Sequence, residues 1–267
     1  MLIKEAVIRI NSALGDIPDL PLEGLVFGSG DDPLTAIAAC TVPSFAAMRC
    51  AAAAGANLIL TDGHPFYLYD SVWSTQISRP EPVLSSPVAT AKRDFLAAHG
   101  LNVARIHTRW ERAMPCSASL GLASRLGIEP LTVRDDHVVC QVSATRLDAF
   151  ARALAGGGLN GVRIIGDPST PANRVAIKAG MLDPQALARI LRDPAVDTIV
   201  AGDAIEWEAV PYMQDVIAAG RRTALVLTGL EVSMEPLGAR IAQWAQALLP
   251  EYPVLWLSEP DQIKAAA

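Results

Sequence analysis

The sequence predicts an α/β protein of two similar lobes, each a mostly parallel sheet flanked by helices. Three observations carry that expectation. Short aliphatic runs alternate with longer helix-like runs along nearly the whole chain. The order strand, helix, strand recurs in both halves, over Ala36–Thr61 and again over Val175–Asp203, and a crossover of that kind joins parallel neighbours. Of the 267 residues 51% are apolar and 19% charged, a composition that buries a core.

The elements follow in order. Leu2 to Leu14 reads as a helix with Ile3, Val7, Ile8, Ile10 and Leu14 forming most of one face. A proline-rich link, Ile17 to Pro21, leads to the turn Gly28-Ser29-Gly30-Asp31-Asp32-Pro33 and a buried strand, Ala36 to Cys40. Ser44 caps a helix that Gly55 ends, and Asn57 to Thr61 is the next strand. Ser86-Pro87 opens another helix, closed by Gly100, before the strand Val103 to Ile106. A short helix follows over Ser117 to Arg125. Leu131–Val133 and Val138–Val142 then form a hairpin around Asp135-Asp136, and a helix covers Thr145 to Leu154. Beyond it come a strand (Val175–Ala179), a helix from Asp183-Pro184 to Leu191, and a strand (Thr198–Ala201) ending in Gly202-Asp203. A helix (Glu206–Ala219), a strand (Thr223–Leu227), a helix (Pro236–Leu248) and a strand (Val254–Leu257) complete the chain. The first lobe is expected over residues 1–115 with the closing strand in 253–267, and the second over 116–252.

Charge and motifs exclude several functions. A net charge of −6 without clustered Lys and Arg argues against a nucleic-acid surface. Gly28-x-Gly30 precedes its strand instead of following it, which excludes a dinucleotide fingerprint. Cys40, Cys50, Cys116 and Cys140 lack the spacing of a zinc or redox motif and read as buried thiols. No long uncharged apolar window and no leader-like N-terminus are present, so a cytoplasmic protein is expected.

Chemistry is expected where parallel strands end at their carboxyl edges. Asp62-Gly63-His64-Pro65 follows one strand, His107-Thr108-Arg109-Trp110-Glu111 another, and Glu231 to Glu235 a third. Carboxylates and imidazoles converging from separate strands suit a divalent ion, which offsets their mutual repulsion. Each also has a plainer reading. Asp62 makes a turn hydrogen bond, Glu111 pairs with a neighbouring arginine, and Glu231 and Glu235 are acids at a helix start. Phe66, Tyr67, Tyr69 and Trp73 form a pocket rim or pack in the core.

The order of segments resembles the Nif-three-like family, also called the GTP cyclohydrolase I type 2 family. Gly30-Asp31-Asp32-Pro33 with Leu34 to Ala38 is similar to the family's entry strand, and Gly55 to Thr61 to its Gly-Ala-Asp-Leu-Ile-Ile-Thr run. Val196 to Asp203 resembles its Ala-Asp-x-x-x-Thr-Gly-Glu run, and Pro253 to Pro260 its closing strand. The resemblance implies a two-lobed fold, a toroidal homohexamer and a dinuclear centre between the lobes, holding divalent ions such as Mn, Fe, Zn or Mg. Residue by residue it implies Asp62, His64, Glu111, Glu231 and Glu235 as ligands, with His107 orienting a ligand or shuttling a proton. The motifs depart from the family. Gly63-His64-Pro65 stands for His-His-Pro, Arg109 and Glu111 replace the Asn and Asp of His-Thr-Asn-x-Asp, and Glu231 stands where the family has a histidine. Two functions follow: a metal-dependent hydrolase of a small phosphorylated or nucleotide-like molecule, or a non-catalytic oligomeric binding or scaffold protein with a degenerate site.

Overall fold

The computed structural model describes all residues except 16, 18, 19, 21, 69–80, 157, 158, 160 and 259–267, so Tyr69, Trp73 and the end of the closing segment lie outside the described residues. The chain divides into two compact units, Met1–Met114 with the segment that begins at Leu237, and Pro115–Pro236.

The first unit opens with α1 (Ile3–Ala13), β1 (Gly24–Phe27), β2 (Ile37–Cys40), α2 (Phe45–Ala53) and β3 (Leu58–Thr61). It continues through α3 (Glu81–Leu84), α4 (Pro87–Ala98), β4 (Asn102–Arg105) and α5 (His107–Ala113). The second unit holds α6 (Ser117–Arg125), β5 (Pro130–Val133), β6 (Val138–Arg146), α7 (Leu147–Gly156) and β7 (Arg163–Ile165). After these come β8 (Pro171–Leu182), α8 (Pro184–Ile190), β9 (Thr198–Ala204), α9 (Glu206–Ala218) and β10 (Ala224–Leu227). The chain then runs through α10 (Leu230–Leu248), which spans the division at Pro236, to β11 (Val254–Trp256).

In the first unit the sheet order is β1-β4-β3-β2-β11. β11, β2, β3 and β4 are parallel and β1 is antiparallel at the edge. β2, β3 and β4 are buried at every position, which is why they read as unbroken apolar runs instead of alternating ones. Ser44 accepts from the Ala47 amide at 3.0 Å and starts α2, and Gly55, at φ +72°, turns the chain into β3. Ser86 and Pro87 start α4 as expected.

The Gly28-Ser29-Gly30 turn has a structural purpose. The buried Asn102 side chain accepts from the Gly30 amide at 3.0 Å and donates to the carbonyls of Asn57 and Gly100. A Cβ on Gly28, whose φ is +91°, would stand 2.0 Å from the Asn102 carboxamide oxygen.

The second unit's sheet is mixed, in the order β5-β6-β8-β9-β10-β7. β8, β9 and β10 form a parallel centre, and β6, β5 and β7 flank it antiparallel. β8–α8–β9 repeats the strand–helix–strand plan of β2–α2–β3, with Asp183 capping α8 through the Ala186 amide at 2.7 Å. A bulge between Lys178 and Met181 interrupts the β8–β9 register. Ser119 Oγ accepts from the Ala179 amide at 3.1 Å and Ser233 Oγ from the Gly180 amide at 3.0 Å. Cys40 and Cys140 are buried and Cys116 partly so, but Cys50 is exposed, because its position on α2 faces away from the sheet.

The Asn102 lock predicts a coupling. Asn102→Ala strands the Gly30 amide and is expected to cost about 1–3 kcal/mol. Gly28→Ala is expected to cost at least as much alone, but only about 1 kcal/mol in the Asn102→Ala background, where its clash is relieved. Urea unfolding of the two single variants and the double variant measures this, and strict additivity would refute the lock.

Candidate functional site

The parallel strands of the first unit bring two of the expected segments to one edge. β3 ends at Thr61, so Asp62 begins its loop; β4 ends at Arg105, and His107 is the first residue of α5. Asp62 Oδ1 lies 2.9 Å from His107 Nδ1, and Glu111 Oε2, one helical turn further along α5, lies 3.7 Å from His107 Nε2. The imidazole therefore sits between two carboxylates. Burial opposes its charge, but the hydrogen bond to Asp62 and the charges of Asp62 and Glu111 outweigh both burial and the repulsion from Arg105. They raise its pKa to about 9.

Two buried cations shape this edge. Arg105 has no exposed surface; its Nε donates to the Asp62 carbonyl at 2.8 Å and its Nη1 to the Leu22 carbonyl at 3.1 Å. Lys92, equally buried on α4, donates to the carbonyls of Pro43 and Pro65 at 2.9 and 2.8 Å and lies 4.1 Å from the centre of the Tyr67 ring. Phe66 is buried and Tyr67 partly exposed, with Tyr67 in the left-handed backbone region at φ 58°. Lys92 thus pins the loops after β2 and β3.

His64 is buried in that second loop. The Phe66 amide donates to its Nδ1 at 3.1 Å, so Nδ1 is an acceptor and Nε2 carries the proton of the neutral ring. Burial, then the charges of Arg105 and Lys92, push its pKa down to about 4.

Glu231 and Glu235 belong to the second unit and lie on α10, which begins at Leu230 instead of the expected Pro236. Pro236 sits inside the helix. Having no N–H, it leaves the Val232 carbonyl without its usual partner four residues on, and Arg125 Nη1 approaches that carbonyl at 3.5 Å. The same Arg125 Nη1 lies 3.2 Å from Glu235 Oε2. Glu235 is thus held by a guanidinium.

Within the first unit, the implied ligands Asp62, His64 and Glu111 are already engaged by protein groups. A metal-ligating imidazole offers one lone pair and donates its other ring N–H. His64 Nδ1 instead accepts from the Phe66 amide, while His107 stands between Asp62 and Glu111 as the partner of both carboxylates. Among the described residues, no group of three or more His, Cys, Asp or Glu is disposed to hold a metal ion.

A family model described as Duf34/NIF3 (NGG1p interacting factor 3) matches residues 15–221. The chain belongs to the Duf34/NIF3 family. The Duf34/NIF3 fold extends across the whole chain. The Staphylococcus aureus hypothetical protein SA1388 matches with a TM-score of 0.76 at 13% identity, covering 100% of this chain and 99% of that one. A Bacillus cereus protein related to NIF3 matches with a TM-score of 0.69 at 12% identity, covering 100% and 99%. TTHA1606 from Thermus thermophilus matches with a TM-score of 0.63 at 17% identity, covering 98% and 100%. No curated protein matches by sequence. Among the described residues, no helix is long and apolar enough to cross a membrane.

Sequence reasoning missed Arg105, Lys92 and Arg125. Arg105 ends an apolar strand and Lys92 lies among alanines of a helix, and nothing in their spacing separates a buried cation from a solvated one. A sharper signal lay in Pro236, which as an interior helix residue demands a donor for the carbonyl four residues before it.

The two histidines predict opposite pH responses. The stability from His107 is complete below about pH 6.5 and is lost as pH rises through about 9. The stability from keeping His64 neutral is complete above about pH 6.5 and is lost as pH falls toward about 4. NMR titration of the imidazole rings should show one ring titrating near 9 and one near 4. Asp62→Asn should move only the first, downward by about two units. Ordinary values for both rings in the folded chain would refute the arrangement.

Proposed function

We propose that this Duf34/NIF3 protein is a non-catalytic, oligomeric binding or scaffold protein whose strand-edge charges are balanced by its own side chains instead of metal ions. The observation that carries this reading is the His107 ring between Asp62 and Glu111, at 2.9 and 3.7 Å. The Arg125–Glu235 pair in the second unit supports it. A dinuclear hydrolase generates its nucleophile from metal-bound water, whereas the Asp62 and Glu111 carboxylates lie beside the His107 ring and His64 Nδ1 accepts from the Phe66 amide. GTP ring opening has no support beyond the family resemblance.

Self-association is part of the proposal. Trp207 on α9 is 73% exposed, and β5, an edge strand, presents Leu131 and Val133 more than half exposed. Exposed strand edges and large apolar side chains are features that assembly covers. The family resemblance implies six subunits, which light scattering tests directly.

Metal analysis decides between the two functions. Protein incubated separately with Mn²⁺, Fe²⁺, Zn²⁺ and Mg²⁺ and then dialysed should retain well below roughly one ion per chain by elemental analysis. Retention of one or two ions per chain, released by Asp62→Asn or Glu235→Gln, would overturn the scaffold reading and restore the hydrolase.

A further inference from the structure

We propose that Glu23 is a positioning residue for the Asp62–His107 pair, acting with Arg109 as one clamp on the start of α5. The proposal rests on the charge-balanced site described above but concerns a residue outside it.

α5 needs help at its start. It is seven residues long, and Ile106, which precedes it, offers no side-chain cap. The first amides of such a helix have no partner within it. Glu23 supplies one from elsewhere in the chain. Its Oε1 accepts from the Thr108 amide and its Oε2 from the Arg109 amide at 3.3 Å. The carboxylate is almost fully buried, with 1% of its side-chain surface exposed. A carboxylate held so deeply needs charge-assisted partners, and Arg109 Nε lies 3.8 Å from it.

The clamp is anchored on both sides. Glu23 immediately precedes β1, whose first residue, Gly24, pairs with Arg105 of β4, so the sheet fixes where Glu23 stands. Arg109 donates from Nη1 to the Gly15 carbonyl at 3.0 Å and from Nη2 to the Ile17 carbonyl at 2.7 Å. Arg105 ties the Leu22 carbonyl to the Asp62 carbonyl through its own guanidinium. A closed circuit results. It runs from the Asp62 backbone through Arg105, Leu22 and Glu23 to the Thr108 amide, and back through His107 to the Asp62 side chain. A shift of the first turn of α5 would carry His107 Nδ1 away from Asp62.

This gives meaning to one of the departures noted in the sequence. Arg109 occupies the asparagine position of the family's His-Thr-Asn-x-Asp motif, and here its guanidinium is the partner of a buried acid from another segment. Arg109 and Glu23 form a matched pair.

The test reads the Asp62–His107 hydrogen bond itself, through the Nδ1 proton resonance of the His107 ring in the full-length chain. Wild type should show a protected, downfield ring proton that Asp62→Asn abolishes. Glu23→Gln keeps the volume but turns an amide NH₂ toward one of the two backbone N–H groups. It should broaden or remove the ring signal and speed exchange of the Thr108 and Arg109 amides about tenfold. Asn102→Ala, a buried change elsewhere in the same unit, should leave the ring signal in place, which separates positioning from general loosening. Should Glu23→Gln not fold, Arg109→Gln tests the same clamp with the same expected loss. A ring signal that survives both clamp variants but not Asp62→Asn overturns the role of Glu23 and leaves the site reading intact. A wild type with no protected ring proton overturns the Asp62–His107 pair, and with it the reading on which this inference rests.

Discussion

Arg105 ends β4 with no exposed surface, and a buried guanidinium must direct its N–H groups at carbonyl or carboxylate oxygens. That requirement organises the strand edge of the first unit. Its Nε holds the Asp62 backbone and its Nη1 the Leu22 backbone, so the loop after β3 and the link before β1 are both fixed to β4. Its charge also acts through space, adding to the burial that lowers His64 and opposing, without overcoming, the rise at His107. With the backbone anchored there, the Asp62 carboxylate is set where α5 begins, within hydrogen-bond distance of the His107 ring.

The same rule accounts for the other acids. Asp62 and Glu111 approach one another at the strand edge, and the His107 ring stands between them. Glu235 has Arg125, and Glu23 has Arg109. In the second unit Arg125 has a further task, since Pro236 frees the Val232 carbonyl and the guanidinium approaches it. A helix that admits proline in its interior would ordinarily kink or end, and the nearby donor reduces the cost of continuing it.

Much of the fold was legible because it rests on patterns that sequence carries locally. Ser44, Ser86-Pro87 and Asp183-Pro184 mark helix starts by their own hydrogen bonds, and the unbroken apolar runs of β2 and β3 announce strands covered on both faces. The elements that were missed depend on distant partners. β1 (Gly24–Phe27) is a short edge strand recognisable only through β4, and β7 only through β10. α5 starts without a local cap and depends on Glu23. The start of α10 was displaced to Pro236 because proline commonly opens a helix, and here it sits in one. At the site, Asp62 and His107 were placed at the correct edge by strand order alone. Their exact placement depended on Arg105 and Lys92, which hold the Asp62 and Pro65 carbonyls and whose burial no periodicity reveals.

Conservation of the fold at 12–13% identity to SA1388 and the Bacillus cereus protein fits this division of labour. The sheet needs only apolar residues of suitable size at β2, β3, β4, β8, β9 and β10, and many sequences satisfy that. The strand edges are constrained differently, because each charge there must meet an opposite charge or a polar backbone group. A metal ion is one way to meet that constraint, and an internal cation is another. An ion bound from solution can leave, whereas a histidine or arginine is covalently part of the chain and remains at full effective concentration. Here His107, Arg109 and Arg125 place opposite charge beside these acids within the chain itself. That internal balance of charge is the physical support for the proposed reading of this family member as a binding scaffold.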